Sequence, residues 1–200
     1  HPLTQALVPH LPALTGRQAL FLDLITGTRM DIAGSPPASF EDVKRYCYRH
    51  SGALAELSAL LLGADSDHAL LAARLMGNSY RLAQIATSGA QEALRGRVYF
   101  AAEDLKTHGV DRHVHGESDG VPLQALLKDY AGRARDMHRE ALAELPAAER
   151  TQLVPWQVLS GLGLKRLARL EAAGFSPGGQ AVELQPLSAL FTAWRAARRA

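Results

Sequence analysis

Two hundred residues, 47% hydrophobic and 21% charged, can bury a sizeable core unaided, which excludes a disordered or fibrous chain. A formal net charge of +2 is too small to build a nucleic-acid-binding face, so no nucleic-acid partner is expected. Cys47 is the one cysteine; it leaves no internal disulfide and no cysteine-held zinc, and suits the reducing cytoplasm.

Helical periodicity runs through almost the whole chain, which predicts an all-α class and a single helical domain over residues 1–200. The opening His1-Pro-Leu-Thr-Gln-Ala-Leu reads as interior sequence rather than as a leader. Leu3 to Leu14 is a first helix interrupted by Pro9 and Pro12, and Thr15 is a plausible N-cap for a second running to Ala33. Ser39 and Asp42 have capping-box spacing and open a long helix to Leu62. In that helix Val43, Tyr46, His50, Leu54, Leu57 and Leu61 recur at spacings of three and four and predict one buried stripe. Further helices follow over 67–94, closed by Gly96, and over 102–108, closed by Gly109.

The polar, glycine-punctuated stretch 111–120 reads as a loop. A helix over 121–145 ends at Pro146, and one over 147–173 should kink near Pro155. Ser176-Pro-Gly-Gly breaks the chain, Val182 to Leu184 is expected to be briefly extended, and Leu187, Leu190, Phe191 and Trp194 mark the apolar face of a last helix. No run of about 18 apolar residues occurs, so no membrane-spanning helix is expected.

Several groups could carry chemistry. His113 and His115, near His108, Asp111, Glu117 and Asp119, have chelating alternation, but a solvated polar loop accounts for them better. Cys47 and His50 lie one turn apart, either as nucleophile and base or, more simply, as a buried thiol beside a core histidine. Trp194 and Phe191, beside Arg195, Arg198 and Arg199, suit either a docked C-terminal helix or contact with an anionic membrane surface.

The most informative stretch runs from Arg81-Leu-Ala-Gln84 through Ser88, Gln91 and Glu92 to Gly96-Arg97-Val-Tyr99. It resembles the second aspartate-rich segment of the squalene/phytoene synthase family, roughly Q-L-T-N-I-x-R-D-x-x-E-D-x-x-x-G-R-x-Y. Here Ser88, Gln91 and Glu92 stand where Asp, Glu and Asp are expected. Other pieces match in order: the opening His1-Pro-Leu, Leu24-Ile25 with Met30-Asp31, and Tyr46-Cys-Tyr48-Arg49 through Gly52. Met76-Gly77, Asp104-Leu105 with Gly109-Val110, and the helix bearing Trp194 continue the series, so the resemblance covers essentially the whole chain.

The resemblance implies a terpenoid-synthase-like helical bundle, here without the family's N-terminal helices, whose members join two prenyl diphosphates head to head. That chemistry needs Mg²⁺ to neutralise the leaving diphosphate, and Mg²⁺ needs several carboxylate oxygens. Tyr48, Arg49, Arg81, Gln84, Ser88, Gln91, Glu92, Arg97 and Tyr99 are the residues it places near a prenyl diphosphate. Positions 81, 84, 88, 91 and 92 are expected on one helical face. Arg81 either contacts phosphate directly or is salt-bridged to Glu92 or a neighbouring helix. Glu92 is the one acid the motif retains, no Asp-x-x-x-Asp occurs, and no metal or cofactor is assigned unless an aspartate motif lies outside this chain.

The expected function is therefore a catalytically impaired binding or assembly module that holds an isoprenyl diphosphate or lipid, or docks a protein partner. A respiratory-complex assembly factor in the same superfamily sets the precedent. The alternative is an active prenyl transferase. Location is expected to be cytoplasmic, with at most peripheral membrane contact.

Overall fold

A computed structural model describes residues 2–111, 120–175 and 184–198. His113, His115, Glu117, Asp119, Ser176-Pro-Gly-Gly, the expected extension at Val182 and Arg199 lie outside the described residues. The described residues form helices joined by turns, without a strand.

Helix α1 spans Pro2–Leu7 and tightens into a 3₁₀ segment, Val8–Leu14, where Pro9 and Pro12 cannot donate to an α ladder. The expected cap at Thr15 is corrected here. Its hydroxyl donates back to the Pro12 carbonyl at 2.9 Å, and α2 starts later, at Gln18–Ala33, behind Arg17. Helix α3 (Phe40–Cys47) is opened by the reciprocal Ser39–Asp42 capping box, and those hydrogen bonds hold the Asp42 carboxyl below its usual range.

The long helix expected to reach Leu62 is not one α-helix. Tyr48–Gly52 forms a π-turn between α3 and α4 (Ala53–Leu61). A π-turn inserts one extra residue and rotates everything after it by about 100° relative to a continuous α-helix. The expected stripe therefore fails in its second half: Leu57 stays buried, but Leu54 and Leu61 turn outward while Ala53, Ala55 and Ala59 turn in.

Helix α5 (Asp67–Leu94) is the central rod and packs against α4, the π-turn, α7 and α8. Its buried face is built of small residues, among them Ala69, Ala73, Gly77, Ala83, Ala86 and Gly89, so neighbours come close to its backbone. Ser66 caps it by accepting from the Ala69 amide at 3.1 Å, and the Ser66 hydroxyl donates to Glu149 from the far side of the bundle. The π-turn is wedged between two glycines. A Cβ on Gly27 of α2 would sit 2.7 Å from the Arg49 carbonyl oxygen, and one on Gly77 of α5 would overlap the Ser51 carbonyl.

Helix α6 (Ala102–His108) is tied to α7 (Gly120–Glu144) by buried Asp104. Asp104 accepts from the Tyr130 hydroxyl at 2.9 Å and from Arg133 through both carboxylate oxygens, at 2.9 and 3.0 Å. Pro155 does not kink a helix: Ala147–Glu149 is a 3₁₀ turn, and α8 (Val154–Ala172) begins with Pro155 in its first turn, where its missing N–H costs nothing. Helix α9 (Pro186–Ala197) lies along α8. No described helix is long and apolar enough to cross a membrane.

Candidate functional site

Helix α5 ends because Gly96 adopts a left-handed conformation (φ +84°), letting the Arg97 amide donate to the Glu92 carbonyl at 2.9 Å. This closure turns Arg97 and Tyr99 back beside the helix they follow. They complete a cleft of about 270 Å³ with Arg81, Gln84, Ser88 and Glu92 of α5 and Asp31 of α2. An apolar recess of about 320 Å³, lined by Met30, Pro36, Pro37 and Val98 among others, shares Asp31, Arg97 and Tyr99 with the cleft. A polar cleft opening beside an apolar recess matches the two ends of an amphiphile.

Arg81 is the electrostatic centre. Its guanidinium lies 5.1 and 5.3 Å from the ring centroids of Tyr46 and Tyr99, whose rings stack 5.3 Å apart. It donates to the Tyr46 hydroxyl and, at 3.0 Å, to Gln84 Oε1. The Tyr46 hydroxyl donates onward to Asp31 at 2.8 Å, and Tyr99 donates to the same carboxylate oxygen at 3.2 Å. Burial pushes the Tyr46 phenol far above its ordinary value despite the opposing Arg81, so it stays neutral and bridges cation to carboxylate. The Nε of Arg81 is buried without a partner among the described residues.

Of the residues singled out by sequence, Arg81, Gln84, Ser88, Glu92, Arg97 and Tyr99 come together. Gln91 does not: it is exposed and outside the cleft lining, at the edge of the helical arc rather than on its face. Tyr48 and Arg49 turn to the other side of the π-turn, where Tyr48 donates to Asp23 at 3.2 Å and Arg49 lies 3.5 Å from the same carboxylate. Burial, then Glu56 and Asp23, push the Tyr48 phenol up to about 12. Glu92 pairs with Arg95 at 2.9 Å rather than with Arg81. Asp31 is the cleft residue that site reasoning missed. It stood only as a matching letter, and its signal is three-dimensional, the two tyrosine hydroxyls that converge on it.

Cys47 and His50 are not a nucleophile and its base. The thiol is buried, and burial pushes it up to about 12, while His50 Nδ1 lies 3.2 Å from the Ser51 hydroxyl. His50 is held below its ordinary value by burial and then by Arg81, against the opposing pull of Asp31. A histidine depressed in the folded state binds fewer protons there than in the unfolded chain. Its contribution is full above about pH 6.5 and is lost as pH falls through that value. The urea midpoint is thus expected to fall between pH 7.5 and pH 5, and His50→Gln should flatten that slope; an unchanged slope in the variant removes His50 as the cause.

The carboxylates present do not fit a magnesium cluster. Asp31 already accepts from two hydroxyls, Glu92 from Arg95, and Ser88 donates its hydroxyl to the Gln84 carbonyl at 2.7 Å. The Arg81 guanidinium is the partly buried cation of the same cleft.

The crystal structure of a dehydrosqualene synthase in complex with ligand superposes with a TM-score of 0.74 at 19% identity, over 90% of this chain and 64% of that one. The squalene synthase HpnC from Alicyclobacillus acidocaldarius superposes at 0.64 with 24% identity, over 80% and 61%. The fold is that of the terpenoid synthases. The sequence profile of the squalene/phytoene synthase family matches residues 1–188, and the chain belongs to that family. Among curated relatives, the phytoene synthase of Mycobacterium tuberculosis is 28% identical over 160 residues, 78% of this chain and 53% of the relative. Phytoene synthase 1 of Arabidopsis thaliana is 30% identical over 168 residues, 78% and 39%. The chain thus spans about half the length, or less, of these relatives.

Proposed function

We propose that this chain is a divergent squalene/phytoene synthase-family protein that binds an isoprenyl diphosphate or a related lipid in the cleft without ionising it, acting as a binding or assembly module. The observation that carries this reading is the state of the α5 face. Where the family pattern has paired acids, the face offers Ser88 and a Glu92 already engaged by Arg95, beside a fixed Arg81. Arg81 and Arg97 can hold a diphosphate by charge-assisted hydrogen bonds while the recess takes an apolar chain. Ionising the allylic C–O bond needs far more positive charge at the leaving group than one buried guanidinium supplies.

The test is pyrophosphate release from farnesyl or geranylgeranyl diphosphate with Mg²⁺, run beside a calorimetric binding titration. Binding without release is expected; turnover lost in Glu92→Gln reverses the conclusion. Ser88→Asp with Gln91→Glu is expected to create no activity. A carboxylate at 88 faces Arg81 and pairs with it, and one at 91 stands in solvent. Product from that double variant refutes this account.

One observation favours a second reading, an active prenyl transferase completed by further sequence. The Gly96-Arg97-Val98-Tyr99 turn keeps the family pattern and still delivers Arg97 and Tyr99 to the cleft. Turnover by a longer natural protein containing this chain, with none from the chain alone, selects that reading.

A further inference from the structure

On the side of the molecule formed by α7, α8 and α9 lies a groove of about 530 Å³ that shares no residue with the cleft. Its floor is apolar, with Leu142, Leu145 and Leu164, and its polar lining includes Arg150, Lys165, Arg195 and His138 but no carboxylate. Arg150, Lys165 and Arg195 make no ion pair among the described residues. His138 Nδ1 is buried with no partner there either. Three exposed cations set around one apolar cavity with no acid among them give it a positive potential that favours an anion.

Helix α9 forms one wall, and its packing is inverted relative to an ordinary surface helix. Its small residues, Ser188, Ala189, Thr192 and Ala196, turn toward the bundle, while Leu187, Leu190 and Trp194 face outward and Phe191, also exposed, stands at the edge of the groove. Leu187 is 81% exposed and Trp194 51%. Phe191 and Trp194 stack 5.8 Å apart, and the Arg198 guanidinium lies 5.0 Å from the Trp194 ring. Along α8 and α9 the cations include Lys165, Arg166, Arg195 and Arg198, and the one acid, Glu171, is paired with Arg135 at 2.6 Å. An aromatic and aliphatic stripe bordered by cations is the composition of a helix that lies in a membrane interface. A second copy of the chain fits less well than an anionic surface, because a contact through α9 brings the cations of both copies into one interface with no acid from either α9 to balance them.

We propose that the α7–α8–α9 groove is a second binding site, for the phosphate head group of an anionic phospholipid, with the outer face of α9 seated in the bilayer surface. Arg150, Lys165 and Arg195 hold the phosphate, His138 supplies a hydrogen bond at the back, and Leu187, Leu190, Phe191 and Trp194 enter the acyl boundary. The proposal does not depend on what occupies the α5 cleft, and its test reads a different quantity.

The test is co-sedimentation of the chain with vesicles of phosphatidylcholine alone or mixed with phosphatidylglycerol, with Trp194 emission as a second readout; Trp156, only 5% exposed, gives a constant background. Binding to the anionic vesicles with a blue shift of Trp194 is expected. Lys165→Glu with Arg195→Glu should weaken that binding at least about tenfold, since each cation near an anionic surface is worth roughly 1 kcal/mol. Lys106→Glu with Lys128→Glu, a charge-matched control at exposed positions away from the groove, should retain it. Phe191→Ser with Trp194→Ser, both exposed, should lower it without unfolding the bundle. Equal binding to neutral vesicles, equal loss in both charge-reversed pairs, binding of inorganic phosphate without vesicle binding, or self-association in place of vesicle binding each overturns the proposal.

Discussion

Gly77→Ala is expected to destabilise the chain by about 2–3 kcal/mol, and Gly77→Val to abolish cooperative folding. Two effects oppose each other at this position. Replacing glycine by alanine inside a helix ordinarily stabilises by about 1 kcal/mol through propensity alone. At Gly77, however, a Cβ meets the Ser51 carbonyl and the Gly52 Cα, both backbone atoms of the π-turn that cannot swing aside as a side chain would. Separating α5 from the π-turn would loosen Met76 and Leu82, which are buried at 0% and 1% exposure. Gly132→Ala in α7 is the matched control, because nothing lies within 4 Å of its Cβ. It should stabilise by up to about 1 kcal/mol. Urea denaturation of the two variants gives opposite signs if the close approach governs, and the same sign if propensity does.

Arg81→Met is expected to weaken isoprenyl diphosphate binding roughly 10- to 150-fold, the range for losing charge-assisted hydrogen bonds worth about 1.5–3 kcal/mol. Methionine keeps most of the side-chain bulk beside the stacked Tyr46 and Tyr99 rings, so the pair retains its packing while the cation is lost. Asp31 then loses its nearest cation and Arg97 is left as the cation of the cleft lining, so the cleft attracts a phosphate less strongly. Arg81→Lys should restore little, since a compact ammonium cannot bond the Tyr46 hydroxyl and Gln84 at once while also lying against both rings. Calorimetric titration with farnesyl diphosphate measures both variants; unchanged affinity in Arg81→Met removes the guanidinium from the site.

Much of this architecture was legible in the chain because its signals are local. Ser39 and Asp42 announce their reciprocal hydrogen bonds within four residues, and Gly96 and Gly109 announce helix ends in the same way. The π-turn was not legible, because reading periodicity presumes a constant 3.6 residues per turn, and one added residue sends Leu54 and Leu61 to the surface. Gln91 was placed in the cleft for a related reason. At 100° per residue it falls about 80° from Arg81, just beyond Gln84, which is the last residue of the cleft lining on that side. Thr15 and Pro155 were misread in opposite senses: each has the chemistry of a helix boundary, but Thr15 closes the element before it and Pro155 opens the one it sits in. Asp31 could not be recognised as a cleft residue from sequence, since the hydroxyls that define it come from positions 46 and 99.

The lone thiol of Cys47 gives the molecule an internal reporter. It sits next to Tyr46 in the wall between α3 and α5, with 1% of its surface exposed. A thiol-specific reagent in water can reach it only during those excursions in which that wall parts. Alkylation kinetics of the unmodified protein therefore count how often the region behind Arg81 opens, without any label having been introduced. Anything that lodges against Tyr46 and Tyr99 and braces them should be visible as a slower reaction at a sulfur atom it never touches.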